Sequence, residues 1–124
     1  MSEMNYTPRT GETVWSWLIK IFTGLLLFFI LGFHFLINHY LAPEGLMTWS
    51  DVVEFYQNPI VPVLEGFFLV FVISHSLIGL RGIILDLNPS KGTMRIVTVL
   101  FWIIGIGFTI YGIWLLIAVV NHGA

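Results

Sequence analysis

Three long apolar stretches, separated by short polar segments, dominate the pattern of hydrophobic and polar positions along this chain. They run from Trp15 to about Leu41, from 61 to 85, and from about 96 to 120. Asn58-Pro59 precedes the second stretch, and Asn88-Pro89 follows it. About 20 mostly apolar residues cross a bilayer as a helix, so each stretch is long enough to span. The pattern predicts an all-α integral membrane protein with three transmembrane helices.

Composition supports this class and excludes several functions. Hydrophobic residues make up 57% of the 124 residues and charged residues 10%, against roughly 25% charged residues in soluble domains. Three spans fill most of the chain, so we expect a single membrane-anchor domain over 1–124 and no soluble catalytic domain. The net charge of -2 and the lack of a basic run give no indication of nucleic acid binding. No cysteine is present, which excludes thiolate-ligated metal centres, so redox chemistry would need histidine ligands.

The positive charges lie toward one end of the predicted spans. The five basic residues are Arg9, Lys20, Arg81, Lys91 and Arg95, whereas the charged residues of the 42–60 connection are all acidic. Basic residues favour the cytoplasmic side. We therefore expect a multi-pass protein of the cytoplasmic (inner) membrane, with the N-terminus and the 86–95 loop inside and the 42–60 loop and C-terminus outside. The N-terminal segment is too poor in positive charge for a signal peptide and is expected to be retained.

The outer connection contains a helix-start signal. Thr48-Trp49-Ser50-Asp51 fits a capping box, in which a threonine and an acidic residue three positions later cap the first turn. This signal predicts a short helix over 49–56, and its aromatic residues suit the membrane interface. We interpret it as an interfacial lid.

His75 is the main candidate for function, because an ionisable residue inside a membrane span is costly and usually serves a site. Residues three and four positions apart share a helix face, so His75, Gly79, Gly82 and Asp86 form one stripe. Small residues on such a stripe also serve close helix packing. A histidine followed by two glycines, however, leaves a flat recess beside an imidazole, which suits a haem macrocycle lying against the helix.

The first and third spans have stripes of their own. The one on the first span consists of Ser16, Lys20, Thr23, Leu27, Ile30 and His34. Its polar members predict that it points into a helical bundle rather than at lipid. Gly105, Thr109 and Gly112 share a side of the third span, where we expect close packing.

The two membrane histidines lie at different depths. His34 is seven residues from the outer end of its span and His75 fourteen, or roughly 10 Å and 21 Å. They cannot readily face each other across one iron, so a bis-histidine haem at His75 would take its opposite ligand from another chain. The alternative is that His75 is only a hydrogen-bonded packing residue.

The segment from His75 to Asp86, His-x-x-x-Gly-x-x-x-x-x-x-Asp in the second of three spans, resembles the small hydrophobic membrane anchor of succinate dehydrogenase. The resemblance implies a succinate:quinone oxidoreductase in which a flavoprotein subunit oxidises succinate and an iron-sulfur subunit passes electrons to quinone. This chain and a second membrane anchor, the cytochrome b subunit, would form a helical bundle in the lipid bilayer that holds haem b and part of the quinone site.

The resemblance also implies residue roles. His75 matches the axial ligand of the haem iron, and Asp86 matches the acidic residue near the quinone site. Leu87 departs from the family, which often has a tyrosine there that donates a hydrogen bond to the quinone. The hydroxyl would then come from another subunit, or the quinone would sit differently.

Three further residues carry open alternatives. Two-haem members of the superfamily take a ligand from the first span, so His34 is a candidate iron ligand for a second, outer haem. Arg81 could contact a haem propionate or the quinone site, or extend to lipid headgroups, and Lys20 has the same alternatives.

Two other functions stay open on the sequence alone. A fumarate reductase anchor would share the architecture. A non-redox three-span helper protein could use a buried face with His75 and Asp86 for proton movement.

Overall fold

The computed structural model describes residues 13–42 and 44–123 and contains helices without strands in those ranges. The helices are α1 (Val14–Leu36), α2 (Trp49–Phe55), α3 (Ile60–Asp86) and α4 (Lys91–His122). A π-helical turn, Ile37–Leu41, extends α1. Together with part of this turn, α1 is long and apolar enough to cross a membrane, as are α3 and α4. The prediction of an all-α protein with three membrane spans is therefore confirmed.

The third long helix begins earlier than the sequence pattern predicts. The expected 86–95 loop is in fact a connection of 87–90, because the Ser90 side chain accepts a hydrogen bond from the Thr93 N–H at 3.2 Å and starts α4 at Lys91. Asn88 completes the turn with a positive φ of 53°. Because the first turn of α4 is polar, a prediction based on apolar residues placed the start of this helix too late.

Helix α3 is the middle of the three spans, with α1 against one side and α4 against another. Small residues on α4 allow close approach, because a Cβ on Gly112 would overlap the Leu69 side chain and one on Gly105 would lie 2.9 Å from Leu77 Cδ1. The packing role predicted for these two glycines is therefore confirmed. On α1, Thr23 and Leu27 are 5% and 6% exposed, so the predicted polar stripe does face the neighbouring helix.

The short helix α2 lies against the C-terminal end of α4. Both hydrogen bonds of the predicted capping box are present between Thr48 and Asp51. The Gln57 side chain donates to the Val120 carbonyl at 3.2 Å, and the rings of Trp49 and His122 are 5.6 Å apart. The 42–60 connection and the end of α4 thus lie on the same side of the helices.

Candidate functional site

His75 lies near the middle of α3 and faces α1. Its Nδ1 is 3.1 Å from the Thr23 hydroxyl oxygen. The ring edge lies against Gly24, where an added Cβ would be only 3.0 Å from His75 Cε1. A hydroxyl and a glycine on α1 therefore hold the imidazole from one side.

The hydrogen bonds of Thr23 favour one tautomer of His75. The Thr23 hydroxyl lies 2.6 Å from the Ile19 carbonyl, which can only accept a hydrogen bond. Since a hydroxyl has a single proton to donate, Thr23 donates to Ile19 and accepts from His75 Nδ1–H. In a neutral imidazole this arrangement would put the proton on Nδ1 and leave the lone pair of Nε2 available.

Nε2 is the free atom of this imidazole. Among the described residues it has no hydrogen-bond partner, and the His75 side chain is only partly buried. Histidine ligands of metals typically donate their other N–H to a neighbouring oxygen, as Nδ1 does here. The arrangement fits an axial haem ligand. A packing role for His75 accounts for Nδ1 but leaves Nε2 unexplained.

The glycine recess beside His75 is partly filled. A Cβ on Gly79 would meet no atom within 4 Å, so this position is open. At Gly82, by contrast, a Cβ would lie 3.3 Å from the Lys20 ammonium nitrogen. The open recess is therefore limited to the level of Gly79. The Lys20 ammonium group of α1 lies next to it, at the level of Gly82.

His34 lies near the C-terminal end of α1. It is ten residues beyond Gly24, or about 15 Å along the helix, so it is well separated from the level of His75. Its Nδ1 is 3.5 Å from a carboxylate oxygen of Glu65, and its ring stacks on Phe68 with centroids 6.1 Å apart. The His34 side chain is 49% exposed. This histidine also has one ring nitrogen beside an oxygen and the other unengaged by the described residues.

Tyr56 lies near Glu65. Its burial, followed by the negative charge of Glu65, raises the pKa of the Tyr56 phenol. Tyr56 is therefore a neutral hydrogen-bonding group at ordinary pH.

Asp86 is the last residue of α3 and is exposed. It shares the stripe of His75, but eleven residues of helix place it about 16 Å away along the axis. Leu87, which follows it, is 77% exposed. The carboxylate is thus at the helix end and not beside the imidazole.

Arg81 lies apart from His75. Six residues along a helix rotate a side chain by roughly 120°, and Arg81 contacts α4, where its Nε donates to the Thr98 hydroxyl at 3.1 Å. The structure therefore brings His75 together with α1 and Arg81 together with α4.

Three partners were not predicted from the sequence: Thr23 for His75, Glu65 for His34, and Thr98 for Arg81. The polar stripe on α1 had placed Thr23 on an inward face, which was the available signal. The pairings depend on how the helices are aligned with one another, which periodicity within each helix does not contain.

Comparisons with known proteins identify relatives along most of the chain. Residues 4–111 match the profile of the family described as "Succinate dehydrogenase/Fumarate reductase transmembrane subunit". The "Succinate dehydrogenase hydrophobic membrane anchor subunit" of Archaeoglobus fulgidus is 31% identical over 122 residues, covering 96% of this chain and 100% of the relative. The "Succinate dehydrogenase 2 membrane subunit SdhC" of Mycobacterium tuberculosis is 33% identical over 102 residues, covering 79% of this chain and 73% of the relative. No solved structure matches the chain significantly.

Proposed function

This chain belongs to the succinate dehydrogenase/fumarate reductase transmembrane subunit family, and we propose that it binds haem b through His75 as the small hydrophobic anchor of a succinate:quinone oxidoreductase. Its family and its three apolar helices make it a multi-pass membrane anchor protein. One relative is named a hydrophobic membrane anchor and the other is named SdhC. The assignment as the small anchor, and not its cytochrome b partner, therefore rests on the resemblance of the His75 to Asp86 segment. The observation that carries the haem proposal is the 3.1 Å contact of His75 Nδ1 with the Thr23 hydroxyl, which leaves Nε2 without a hydrogen-bond partner among the described residues.

The residues around His75 have distinct roles in this proposal. Nε2 would ligate the iron, and the Thr23 hydroxyl would accept from Nδ1–H and orient the ring. The open space at Gly79 admits a flat macrocycle against α3. Lys20, with its ammonium group beside Gly82, is placed to pair with a propionate. Bound haem b supplies a one-electron carrier whose potential depends on its ligands and surroundings.

A second membrane anchor is required to complete this site. The other histidines of the chain are His34, His39 and His122, and all three lie toward the opposite end of the helices from Lys20 and Gly82. A second imidazole at the level of His75 would therefore come from the partner anchor. The many exposed apolar side chains of α1 and α3 offer the surface on which its helices would pack. Flavoprotein and iron-sulfur subunits would dock at the cytoplasmic face, and electrons from succinate would pass there to quinone.

Asp86 would serve the quinone site from this chain. Its exposed carboxylate lies at the end of α3 that we expect on the cytoplasmic side from the distribution of basic residues, where it could orient or deliver protons during quinone reduction. Leu87 cannot supply a hydroxyl, so the donor to the quinone carbonyl would come from another subunit.

His34 is proposed as a ligand of a second, outer haem. Glu65 beside Nδ1 gives it the carboxylate–imidazole pairing typical of metal-bound histidines. The separation of about 15 Å from the level of His75 leaves room for two haems at two depths.

Purification of the complex through an affinity tag on this chain tests the proposed function. We expect flavoprotein, iron-sulfur and second anchor subunits to co-purify, with the reduced-minus-oxidised spectrum of a low-spin haem b. If neither flavin nor haem co-purifies, the non-redox helper is the better description. The ratio of succinate oxidation to fumarate reduction then separates the two physiological directions, since the family includes both.

Counting haem per flavin tests the role of His34. We expect two haems per flavin in the wild-type complex and one in His34→Leu. One haem per flavin in the wild type would overturn the assignment of His34 and leave that of His75 intact.

A further inference from the structure

A cleft of about 560 Å³ lies between α3 and α4. Most of its wall is apolar, including Leu77, Ile78, Phe101, Trp102 and Ile106. Arg81 and Thr98 also line it, and they carry the hydrogen bond between the two helices. Because Arg81 and His75 diverge by roughly 120° around α3, the cleft is separate from the proposed haem site.

The guanidinium of Arg81 has unused donors in this cleft. Its Nε is bonded to Thr98, while its two terminal nitrogens make no hydrogen bond with the described residues. A charge in apolar surroundings is costly unless it is paired. The fixed fork of a guanidinium matches two oxygens of a phosphate or carboxylate. The hydrogen bond to Thr98 holds the guanidinium inside the cleft instead of letting the side chain extend toward the membrane surface.

Positive charge continues from Arg81 along α4. Lys91, Arg95, Thr98 and Trp102 follow three-and-four spacing, so both further cations lie on the helix face that lines the cleft. They belong to the first turns of α4, where the helix dipole also favours an anion. The nearest acidic residue along α3 is Asp86, which shares the stripe of His75 on the other side. This end of the cleft is therefore cationic.

The dimensions of the cleft fit one lipid leaflet. Its lining on α4 runs from Thr98 to Ile110, or about 18 Å of helix, against about 15 Å for half of the hydrocarbon core. Arg81 is five residues, or about 7.5 Å, from the end of α3, which places it near headgroup depth.

We propose that this cleft binds an anionic glycerophospholipid, with the phosphodiester on Arg81 and an acyl chain along the apolar wall. Basic pockets between transmembrane helices on the cytoplasmic side are suited to anionic headgroups. A quinone would fill the apolar wall equally well, but its neutral ring would leave the guanidinium unpaired. The proposal requires only that the chain spans a membrane, and it gives Arg81 a role other than contact with a propionate or the quinone site.

The test is lipid retention by the intact complex. Wild-type complex reconstituted with phosphatidylglycerol, or with phosphatidylcholine as comparison, is re-extracted in mild detergent, and bound lipid is counted by native mass spectrometry. We expect retained phosphatidylglycerol, with little phosphatidylcholine. Retention should fall on the order of tenfold in Arg81→Gln, because charge-assisted hydrogen bonds are lost. Arg81→Lys should give an intermediate loss, because lysine keeps the positive charge but lacks the planar guanidinium that donates two parallel hydrogen bonds.

Glu54→Gln is the control, because it changes one charge on α2, outside both the cleft and the proposed haem site, and should leave lipid retention unchanged. If Arg81→Gln does not assemble, Ile106→Trp fills the cleft without changing charge and should also displace the lipid. Equal retention of both lipids by the wild type would overturn the proposal, as would equal losses in Arg81→Gln and Glu54→Gln. Loss of haem with lipid retained in Arg81→Gln would instead return Arg81 to a propionate contact.

Discussion

At the scale of single residues, the orientation of the His75 imidazole depends on one hydroxyl in the neighbouring helix. Thr23 is 5% exposed and uses its proton on the Ile19 carbonyl, so it can only accept from His75. An isosteric side chain without the hydroxyl would leave Nδ1–H without an acceptor in the seam, the contact between α1 and α3 around Thr23, Gly24 and His75. Loss of that acceptor costs free energy. Thr23 is thus a positioning residue for the proposed ligand.

Thr23→Val should weaken haem binding roughly 10–100-fold, as loss of the partner of a metal-bound histidine typically does. The measurement is haem per flavin after a detergent challenge, together with the haem midpoint potential. Thr23→Ser keeps the hydroxyl and should restore both. If Thr23→Val retained as much haem as the wild type, with the same haem midpoint potential, the hydroxyl would not position His75.

Much of this seam could be predicted from spacing within each helix. The three-and-four rule placed Thr23 on the inward face of α1 and grouped His75 with Gly79 and Gly82. It could not show that Lys20 fills the space at Gly82, because that depends on how α1 and α3 are aligned. Alignment between helices arises from side-chain packing across the seam, which no single-helix pattern encodes.

At the scale of elements, side-chain caps and glycines determine where helices begin and how closely they approach. Ser90 starts α4 before its apolar residues begin, so a prediction from hydropathy placed this start five residues too late. The capping box at Thr48 was identifiable because its second member, Asp51, follows only three positions later in the sequence. Local hydrogen-bond signals are therefore the better guide to helix ends.

Gly112→Val should destabilise the contact of α3 with α4, because a Cβ at this position overlaps the Leu69 side chain. Overpacking of this kind typically costs about 1–3 kcal/mol. A lower melting temperature of the complex in detergent is the expected result. Gly107→Val is the control on the same helix, because a Cβ on Gly107 meets no atom within 4 Å. Equal melting temperatures for the two variants would contradict close packing at Gly112.

The first turn of α2 should depend on an ionised Asp51. Hydrogen bonds from the Thr48 side chain and backbone hold the pKa of Asp51 below its ordinary value. A lowered folded-state pKa means that the stabilisation is present above the unfolded-state value, near 4, and is lost as the pH falls through the folded value. Asp51→Asn should therefore reduce hydrogen-exchange protection of the α2 amides near neutral pH. Glu54→Gln, on the same helix outside the capping box, should leave protection unchanged; equal protection in Asp51→Asn and wild type would rule out this role.

At the scale of the whole molecule, α3 separates two surfaces with different proposed uses. His75 and the neighbouring seam face α1, where haem and the partner anchor are proposed, while Arg81 faces the cleft with α4. Most of the apolar side chains remain exposed in the single chain. Such a surface suits lipid and partner helices, as expected for a membrane anchor whose site is completed by a second chain.

Replacement of His75 in the intact complex tests the central claim most directly. His75→Leu should lose one haem b per flavin, measured as pyridine haemochrome, together with its low-spin signal, while flavin still co-purifies. His39→Leu, which changes a histidine whose ring lies 4.3 Å from that of Phe35, should keep the wild-type haem content. An unchanged haem content and low-spin spectrum in His75→Leu would contradict the assignment of His75 as the axial ligand.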